Sequence, residues 1–500
     1  MPRPARTPLK PIVLDRSPGA FELTQQLCRE LAAQISSGKL PQGSRMPPVR
    51  QLAMSCGVSP YTAAHAYDRL VAQGILVAKK GAGFYVRQCV EPRADSPAHK
   101  ATPTEILSSW RLRLLREQAA PDAQPQPGFG TLPVNWMMDE ADLGAAMRQV
   151  ARQSARMLMR YGELRGYLPL RQQLRDKLRG QGIRCETDQL IVTHGASEAQ
   201  HLCAQAFSSR GQTVLIEGPA PYHLIERLNA TGIFQHTIPR DAEGPDLDCL
   251  REACERLRPR VFFCSSVLHN PTSTSMSAHR AFKLLQLAEE FDLLLVDDDT
   301  YGDLLVPEEG ISRLATLDQL QRVIHLGSFS KTLGPGLRVG YIAAPATLVA
   351  LLVSHKSLSY VSHGELAQRI VYQLLAGGQF RHHCERLRQA LDVRRETLAT
   401  ELLRLGVALP FRTNIGMYVW ADLGGGLDAT ALAEHLAEEG HLMAPGAAFA
   451  RDIDFRSFMR FNVASSYPGP AFAVLERLLR DASAANRSAG PSRSRQSAPT

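Results

Sequence analysis

Short apolar segments alternate with helical ones along most of the chain, between about residues 143 and 479. Such alternation predicts an α/β domain with a parallel sheet that helices cover on both faces. After about Ser354 the pattern becomes helical and then mixed, which predicts a smaller α+β domain with strands at Met417–Trp420 and Phe458–Asn462. The strands predicted for the large sheet are Leu190–Thr193, Thr213–Ile216, Val261–Ser265, Leu293–Val296, Val323–Leu326 and Gly340–Ala343.

A separate pattern of three helices and a hairpin precedes this body, over residues 12–87. An amphipathic helix is predicted at about Glu22–Ser37, and a shorter helix follows Pro48. Gly57 makes a turn, and the third helix begins at Ser59, a favourable N-cap residue. This order predicts a winged helix-turn-helix domain, whose third helix fits the major groove of DNA. The predicted hairpin strands are Ile75–Val77 and Phe84–Val86.

The net positive charge of the chain is concentrated in this first part. Residues 1–100 contain 14 Lys and Arg against 6 Asp and Glu, whereas the remaining 400 residues contain 43 of each kind. A basic head on a neutral body predicts a polyanionic partner for the head alone. The alternative is a helical docking domain whose lysines are merely solvated. For DNA, we expect Ser59, Tyr61, Thr62 and His65 at base edges and Arg45, Arg50, Lys79 and Lys80 at phosphates.

The segments that flank the body differ from it in composition. Residues 88–130 are rich in Pro, Ala and Gln and predict a flexible linker, which a short helix near residues 104–117 interrupts. Residues 481–500 are rich in Ser, Arg and Ala and predict a disordered tail. The predicted effector domain is therefore residues 131–480.

Composition argues against several classes of protein. No apolar run reaches the ~18 residues of a membrane helix, and the N-terminus has no apolar segment of a signal peptide. We therefore expect a cytoplasmic protein without a membrane partner. The 9 cysteines are scattered and contain no C-x-x-C pair, which argues against a disulfide framework or a zinc module. No metal site is predicted.

One glycine-punctuated loop, GSFSKTLGPGLRVGY, carries an amine, hydroxyl groups and a guanidinium. It continues from the predicted strand Val323–Leu326. An aldehyde-and-phosphate cofactor needs this combination, because Lys331 can form an imine with the aldehyde while hydroxyls and a positive charge bind the phosphate. A cationic neighbour such as Arg338 lowers the pKa of the lysine and favours the nucleophilic neutral amine. Alone, the pattern also fits an ordinary surface lysine.

Polar residues near the ends of other predicted strands could complete such a site. Asp298, in the run DDDTY, could lie beneath a pyridine nitrogen, and Tyr301 and Asn270 could donate to the ring oxygen. The backbone N–H groups of residues 195–197 begin a helix and could receive a phosphate. The alternatives are a solvated acidic loop, a simple turn at Asn270, or a Mg²⁺ site at the aspartates. The Mg²⁺ site would need a phosphate substrate and a second acidic cluster, and the sequence indicates neither.

The head resembles the GntR-type winged-helix regulators over the full module. The resemblance lies in SGKLPQGSRMPPVRQLAMSCGVSPYTAAHAYDRLVAQGIL and the following KKGAGFYV. These segments contain a Gly-x-Leu-x-x-Gly lead, a Pro-x-x-Arg-x-Leu-Ala second helix and a Gly-x-Gly wing. The resemblance implies that the head binds double-stranded DNA.

The body resembles the fold-type I pyridoxal-phosphate enzymes of the class I/II aminotransferase superfamily, over about residues 143–479. The resemblance implies that Lys331 is the Schiff-base lysine and that Asp298 lies under the pyridine nitrogen of pyridoxal 5'-phosphate. Asn270 and Tyr301 would contact the ring oxygen, and Arg460 would clamp a substrate carboxylate. The phosphate would be held by Ala196, Ser197, Ser328, Ser330 and Arg338, and by Tyr161 of YGELRGYLPLR reaching across a dimer.

Two positions depart from the pattern of that superfamily. Ser273 stands where the family has a glycine after Asn-Pro-Thr. The aromatic residue that stacks on the cofactor ring is expected two residues after Pro219, where this chain has Pro221. Tyr222 follows one residue later and is the candidate for that role.

A GntR-type head joined by a linker to an aminotransferase-like body resembles the MocR family of bacterial regulators. The resemblance implies a domain-swapped, head-to-tail homodimer in which a small amino compound, or the cofactor itself, is the signal. We hypothesise that an amine displaces Lys331, the small domain closes and the spacing of the two heads changes. The alternative is a catalytically active class I/II aminotransferase whose head only regulates its own gene.

Overall fold

The computed structural model describes residues 12, 14, 23–36, 40–41, 44–72, 75–79, 83–86, 110–120, 123–153, 155–305, 313–424 and 426–488. The chain divides into two compact units, residues 1–101 and 102–500. Each unit has its own hydrophobic core. None of the helices in these described ranges is both long and apolar enough to cross a membrane.

The first unit is a bundle of three helices with a two-stranded hairpin. Its elements are α1 (Leu23–Ser36), α2 (Val49–Cys56), α3 (Pro60–Ala72), β1 (Leu76–Lys79) and β2 (Gly83–Val86). Gly57 ends α2 with a φ of 62°, a left-handed conformation that glycine adopts at little cost. The N–H of Thr62 donates to Oγ of Ser59 at 3.0 Å, which caps α3 at the predicted residue. The predicted winged helix-turn-helix architecture is confirmed.

Part of the predicted linker is ordered and packs on the second unit. Residues 110–118 form α4 (Trp110–Gln118), and the indole N–H of Trp110 donates to the carbonyl of Met443 at 3.0 Å. Phe129 is buried in a cluster with Trp420. The prediction of a flexible linker over residues 88–130 is therefore corrected for residues 110–120 and 123–130, because their apolar side chains find a hydrophobic surface on the body. Residues 87–109 lie outside the described part of the chain.

An eight-stranded sheet forms the centre of the second unit. Its strands are β3 (Leu190–Thr193), β4 (Thr213–Gly218), β5 (Phe234–Asp241), β6 (Gly244–Pro245), β7 (Val261–Cys264), β8 (Leu294–Asp298), β9 (Val323–Ser328) and β10 (Gly340–Ala343). Their order across the sheet is β3-β10-β9-β8-β7-β4-β5-β6. Strands β4, β5, β7, β8 and β9 pair in parallel, whereas β10 runs antiparallel to both of its neighbours. The predicted α/β domain is confirmed with a mixed sheet, and β5 and β6 add to the six predicted strands.

Helices cover both faces of the sheet, and successive side chains of β7 are buried on opposite faces. Phe262 packs into one hydrophobic cluster, while Val261 and Phe263 pack into the other. The helices of this domain are α5 (Glu140–Ala151), α6 (Leu168–Gly180), α7 (Ala196–Phe207), α8 (Tyr222–Thr231), α9 (Leu247–Leu257), α10 (Ala278–Glu290), α11 (Leu314–Asp318), α12 (Ala346–Tyr360), α13 (Glu365–Ala376) and α14 (Gln379–Arg404). Short 3₁₀ helices occur at Val134–Trp136, Ala155–Met159, Thr187–Gln189, Gly302–Leu304, Pro335–Leu337 and Gly446–Phe449.

A three-stranded antiparallel sheet forms the predicted smaller domain. Its elements are β11 (Tyr418–Asp422), α15 (Ala429–Glu438), β12 (Ala444–Pro445), β13 (Phe458–Asn462), α16 (Val463–Ser466) and α17 (Pro470–Ser488). Central strand β13 pairs with both others, and Arg460 lies opposite Trp420 and Ala444. Because α17 continues to Ser488, residues 481–488 of the predicted tail are helical. Residues 489–500 lie outside the described ranges.

Candidate functional site

A polar cavity of about 150 Å³ lies at the carboxyl ends of β8 and β9. A lysine, two arginines and one aspartate line it together with hydroxyl and amide side chains, so it suits a charged, polar guest. The predicted residues on its wall are Ala196, Ser197, Tyr222, Asn270, Asp298, Tyr301, Ser328, Ser330, Lys331, Arg338 and Arg460.

Lys331 lies three residues after the end of β9, on the predicted loop. Its pKa is lowered to about 8, first by burial and next by the positive charge of Arg460. Arg338 lowers the pKa further, whereas Asp298 acts in the opposite direction. Arg338 is the cationic neighbour expected from the sequence. Arg460 belongs to the small domain, and only the fold brings it to Lys331. A lysine with this pKa supplies neutral, nucleophilic amine near neutral pH.

Asp298 is the last residue of β8, and its carboxylate is fixed from two sides. Oγ1 and the N–H of Thr300 donate to Oδ1 at 2.5 and 3.1 Å, and Nε2 of Gln200 donates to Oδ2 at 2.8 Å. Burial raises the pKa of Asp298, although both hydrogen bonds from Thr300 oppose the rise. A protonated pyridine nitrogen beside this carboxylate would lower the pKa of Asp298 again and restore its ionised form. The environment of Asp298 therefore fits a pyridine ring.

Two tyrosines and one amide form the wall that faces the expected ring oxygen. Nδ2 of Asn270 lies 3.5 Å from the hydroxyl of Tyr301, which in turn lies 3.0 Å from the hydroxyl of Tyr418. Burial raises the pKa of Tyr301 well above its ordinary value, and Tyr418 adds to the rise. The phenol therefore stays protonated and can donate a hydrogen bond.

The opposite pole of the cavity has the features of a phosphate site. Helix α7 begins at Ala196, and its N-cap is Gly195, which has no side chain to accept the free N–H groups of the first turn. Nη1 of Arg338 lies 3.4 Å from Oγ of Ser330, and its Nη2 donates to the carbonyl of His194 at 2.7 Å. Backbone donors, hydroxyls and a guanidinium thus converge on one end of the cavity.

Arg460 reaches the cavity from β13 of the small domain and has no exposed surface. Nη1 donates to Oδ1 of Asn270 at 3.0 Å, and Nη2 donates to the carbonyl of Gly128 at 2.7 Å. The guanidinium carbon lies 4.3 Å from the ring centre of Tyr418 and 5.5 Å from that of Tyr222. Nε has no hydrogen-bond partner among the described residues. The side chain of Arg460 therefore lies on the cavity wall, and the role with a carboxylate that the resemblance implies stays a prediction.

Tyr222 begins α8 and is buried at the cavity wall, where its ring meets Phe449 edge to face. The neighbouring His223 also lines the cavity, although no sequence pattern singled it out. Burial, followed by Arg227 and Lys331, lowers the pKa of His223 to about 3, so its imidazole is neutral. Two rings of this segment thus lie on the cavity wall, and the stacking role expected for Tyr222 stays a prediction.

Tyr161 lies away from this cavity in its own chain. Its side chain is 81% exposed, in a surface depression with Arg160 and Glu163. The role across a dimer that the resemblance implies for Tyr161 therefore stays a prediction.

Several wall residues have no signal in the sequence. Leu115 and Gln118 belong to α4, and Oε1 of Gln118 accepts from the N–H of Gly130 at 2.6 Å. Their segment has the composition of a linker, and only its fold brings it to the cavity. The other wall residues without a sequence prediction are Gly130, Thr131, His223, Thr300, Pro335 and Tyr418.

The first unit presents a candidate DNA-reading face at the start of α3. Tyr61 is 80% exposed, and its ring stacks on His65 with 6.1 Å between centroids. Oγ of Ser59 lies 2.8 Å from Oγ1 of Thr62, so both hydroxyls are partly engaged in capping. Arg50 is exposed on α2, whereas Arg45 lies within 3.8 Å of the Cβ position of Gly83 at the hairpin. The side chain of Lys79 and the whole of Lys80 lie outside the described part of the structure.

Comparison with known proteins agrees with the division of the chain into these two domains. Residues 132–477 match the family described as "Aminotransferase class I and II", and residues 23–86 match "Bacterial regulatory proteins, gntR family". The chain is 29% identical to the HTH-type transcriptional regulator TauR of Rhodobacter capsulatus, over 94% of this chain and 98% of TauR. It is 28% identical to the probable rhizopine catabolism regulatory protein MocR of Rhizobium meliloti, over 79% of this chain and 80% of MocR.

The second unit is also similar to a solved aminotransferase. LysN, an alpha-aminoadipate aminotransferase from Thermus thermophilus, was crystallised with N-(5'-phosphopyridoxyl)-L-leucine. It shares 27% identity and a TM-score of 0.67 with this chain, over 77% of this chain and 97% of LysN. The lysine, carboxylate and phosphate poles of the cavity fit pyridoxal 5'-phosphate, which is the cofactor of this domain. The chain belongs to the aminotransferase class I and II family, as a MocR-type regulator with a GntR-family winged helix-turn-helix before that domain.

Proposed function

We propose that this regulator holds pyridoxal 5'-phosphate at Lys331 and responds to an amino compound that carries a carboxylate. The observation that carries the proposal is the environment of Arg460. Its guanidinium is buried at the cavity wall, and none of the carboxylates in the described ranges forms an ion pair with it. Its two terminal nitrogens donate only to an amide oxygen and a carbonyl.

A buried arginine without an anionic partner is energetically unfavourable. Neutral acceptors offset only part of the cost of removing its charge from water. A carboxylate that enters the cavity would supply the missing charge and accept a bidentate pair of hydrogen bonds. The site therefore favours an amino acid over the amine that has the same side chain but lacks the carboxyl group.

The remaining wall residues have roles that their chemistry dictates. Bound pyridoxal 5'-phosphate supplies an aldehyde that captures amines and an electron-withdrawing ring. Lys331 offers the competing amine, and Asp298 provides the charge beneath the ring nitrogen. Arg338 and the start of α7 retain the phosphate, while Tyr301 donates from its protonated phenol.

The linker helix α4 contributes to the wall of the cavity. Leu115 and Gln118 of α4 line the cavity, so a ligand there touches the segment that leads to the head. Arg111 anchors the same helix: it donates to the carbonyls of residues 447, 448 and 450 and lies 3.2 Å from Glu226. These carbonyls lie near β12 of the small domain. Glu226, in contrast, belongs to α8 of the large domain, so α4 contacts both domains. A ligand that moves the small domain relative to the large one would therefore change the contacts of α4.

An exposed apolar surface supports the proposed homodimer. Leu158 and Met159 are 63% and 82% exposed, and Tyr161 follows them. Exposed Val361 and Leu366 lie on the neighbouring segment, which approaches within 2.6 Å of the Cβ position of Gly162. Several exposed apolar side chains on neighbouring segments commonly mark an interface between proteins.

The experiment compares matched ligands on the full-length protein with bound cofactor. The protein first selects duplex DNA that it binds from a random pool. This DNA is then titrated with protein in the presence of a single amino acid or of the amine that lacks its carboxyl group. We expect at least one amino acid to shift the apparent Kd for DNA while its amine has at least tenfold less effect. In the Arg460→Gln variant, that difference should vanish.

Arg456→Gln is the matched control, because Arg456 is exposed and four residues away. It should retain the response of the wild type. If amino acids and their amines act equally on the wild type, a carboxylate requirement is excluded. If loading with cofactor alone changes the Kd for DNA and no amine does, the signal is the cofactor itself.

A second candidate function is transamination. It is favoured by the lowered pKa of Lys331 together with the hydrogen-bonded carboxylate of Asp298, since a neutral amine and a charge beside the ring nitrogen both assist catalytic turnover. Visible spectra recorded during addition of amino acids distinguish the two functions. A stable spectral change indicates sensing, whereas conversion to the pyridoxamine form that a keto acid reverses indicates turnover.

A further inference from the structure

A buried amide, that of Gln200, contacts the carboxylate of Asp298. Gln200 lies in the second turn of α7, and Asp298 is the last residue of β8. Nε2 of Gln200 donates to Oδ2 of Asp298 at 2.8 Å, across 98 positions of sequence. Gln200 is 1% exposed. No local signal in the sequence connects the two residues, and only the fold brings this amide to the carboxylate.

The chemistry of the partner fixes the orientation of the Gln200 amide. An ionised carboxylate only accepts hydrogen bonds, so the nitrogen of the amide must face Asp298. Oε1 of Gln200 is buried and has no hydrogen-bond partner among the described residues. A buried amide with one unsatisfied end is less favourable than an apolar side chain of similar size. The presence of Gln200 at this position therefore indicates a role other than packing.

The contact lies in surroundings that exclude most water. A cavity of about 20 Å³, with room for roughly one water molecule, adjoins Gln200 and Asp298. Phe263, Val296 and Leu326 contribute to its wall. In such surroundings a hydrogen bond to a charged oxygen is stronger than it is at the surface. The donor at Oδ2 therefore has a large influence on the charge of Asp298.

Other groups also act on the carboxylate of Asp298. Burial raises its pKa, and the two hydrogen bonds from Thr300 oppose that rise. The negative charge of Asp299 raises the pKa further, whereas the positive charge of Lys331 lowers it. Both hydrogen bonds from Thr300 reach Oδ1. Gln200 is thus the donor that serves Oδ2 within the described part of the chain.

Helix α7 connects Gln200 to the phosphate pole of the cavity. The helix begins at Ala196, and Gln200 follows four residues later. Four residues correspond to about 6 Å along a helix, so one rigid element extends from the phosphate pole to Asp298. A phosphate bound at the first turn would therefore also fix the position of the Gln200 amide.

We propose that Gln200 is a positioning residue that keeps the ring nitrogen of pyridoxal 5'-phosphate protonated by stabilising the ionised form of Asp298. The proposal rests on the expected place of Asp298 beside that nitrogen. One proton between the two groups can lie on either of them. The hydrogen bond from Gln200 favours the carboxylate over the carboxylic acid, which leaves the proton on the ring. A charged ring withdraws electrons more strongly, so Gln200 acts on the cofactor through Asp298.

The test locates the proton by solid-state NMR, from the chemical shift of ¹⁵N in the ring of labelled cofactor bound to the full-length protein. Gln200→Leu and Gln200→Met remove the donor at similar volume. In both, the ratio of charged to neutral ring should fall on the order of tenfold, since a hydrogen bond to a charged group is lost. Gln205→Leu is the matched control, because Gln205 belongs to the same helix but lines a surface depression instead.

Gln200→Glu distinguishes a lost donor from disturbed packing. Two adjacent buried carboxyl groups do not both ionise, so one of them retains a proton that it can donate to the other. The ring should therefore stay as charged in Gln200→Glu as in the wild type. An equal loss of ring charge in Gln200→Glu and Gln200→Leu would overturn the proposal. Visible absorption establishes that each variant is loaded with cofactor.

Asp298→Asn separates the role of Gln200 from the place of Asp298. This variant should lose the charge of the ring. If it does while Gln200→Leu and Gln200→Met keep the ring as charged as the wild type, Gln200 has no influence and the proposal is wrong. If Asp298→Asn itself keeps the charge, Asp298 does not lie beside the ring nitrogen, and the assumption beneath the proposal is refuted.

Discussion

Arg460 donates a hydrogen bond of 3.0 Å to Oδ1 of Asn270, which joins the small domain to the cofactor wall of the large one. The amide of Asn270 thereby presents its Nδ2 toward Tyr301 and the expected ring oxygen. A carboxylate that binds Arg460 competes with Asn270 for the same guanidinium. In the proposed function, capture of an effector at Arg460 would therefore be coupled to the hydrogen bonding of the cofactor ring through a single amide.

Substitution of Lys331 by alanine should abolish stable retention of the cofactor. The variant loses the only lysine on the cavity wall within the described chain, so pyridoxal 5'-phosphate is held by polar contacts alone. We expect the visible absorption of the wild type to disappear after gel filtration of Lys331→Ala, along with the response to amino acids. Lys283→Ala, an exposed lysine on α10, should retain both. A normal response in Lys331→Ala would exclude a role for this lysine in sensing.

The capture of cofactor by the cofactor-free protein should depend on pH around the lowered pKa of Lys331. Only the neutral amine reacts, and its fraction rises about tenfold per pH unit below the pKa. With a pKa of about 8, the rate should climb up to pH 8 and then level off. The rate of capture is measured by stopped-flow absorbance, and the reaction of the cofactor with Nα-acetyl-lysine is the reference. The rate for this free lysine should continue to rise up to about pH 10.4. A protein profile parallel to that reference would show that Lys331 is not buried among positive charges.

The sequence predicted those site residues that lie in short, ordered motifs. Lys331 and Arg338 occupy one loop, and Asp298 ends an apolar strand, so the positions of these side chains follow from strand topology. Arg460 was accessible only through family resemblance, because its approach to Lys331 depends on how the small domain docks. Its contribution to the lysine pKa could not be inferred from sequence spacing.

Residues of the linker show why composition alone misleads. The Pro-rich and Gln-rich stretch around Gln118 and Gly130 is typical of flexible chain, yet Phe129 is buried against the small domain. A few apolar residues decide the outcome when a complementary surface exists elsewhere in the fold. Likewise, no local signal connects His194 to His363, since their contact is made by the packing of α7 against α12.

Removal of the Arg111 side chain should loosen the linker helix. This guanidinium makes three hydrogen bonds to carbonyls and one ion pair with Glu226, mostly shielded from water. Hydrogen bonds to charged groups contribute about 1.5–3 kcal/mol each to stability, so Arg111→Ala should raise hydrogen exchange in residues 110–118 by at least tenfold. Mass spectrometry of exchange measures this directly. Arg116→Ala, exposed on the same helix, serves as the control, and equal exchange in both variants would refute the anchoring role.

Charge introduced into the exposed apolar surface should weaken self-association. Met159→Glu places a carboxylate at a position that is 82% exposed in the single chain but would be buried in the proposed dimer. Sedimentation velocity should then show a shift from dimer toward monomer at micromolar concentration. Val393→Glu is a matched control on α14, where the side chain is 70% exposed and lies outside the proposed interface. Loss of the dimer in both variants would point to a general effect of charge rather than to this surface.

Two substitutions in the head should separate phosphate contacts from base contacts. Arg50→Ala should weaken binding to all DNA sequences alike and reduce the slope of log K against log salt by about one, because one phosphate contact is lost. Tyr61→Ala should leave the salt slope unchanged and reduce only the preference for a selected sequence over random duplex. Fluorescence anisotropy at a series of salt concentrations measures both quantities. The opposite assignment, with Tyr61 altering the salt slope and Arg50 altering sequence preference, would mean that α3 does not face the bases. That result would move the DNA-reading surface from the start of α3 toward α2 and the hairpin.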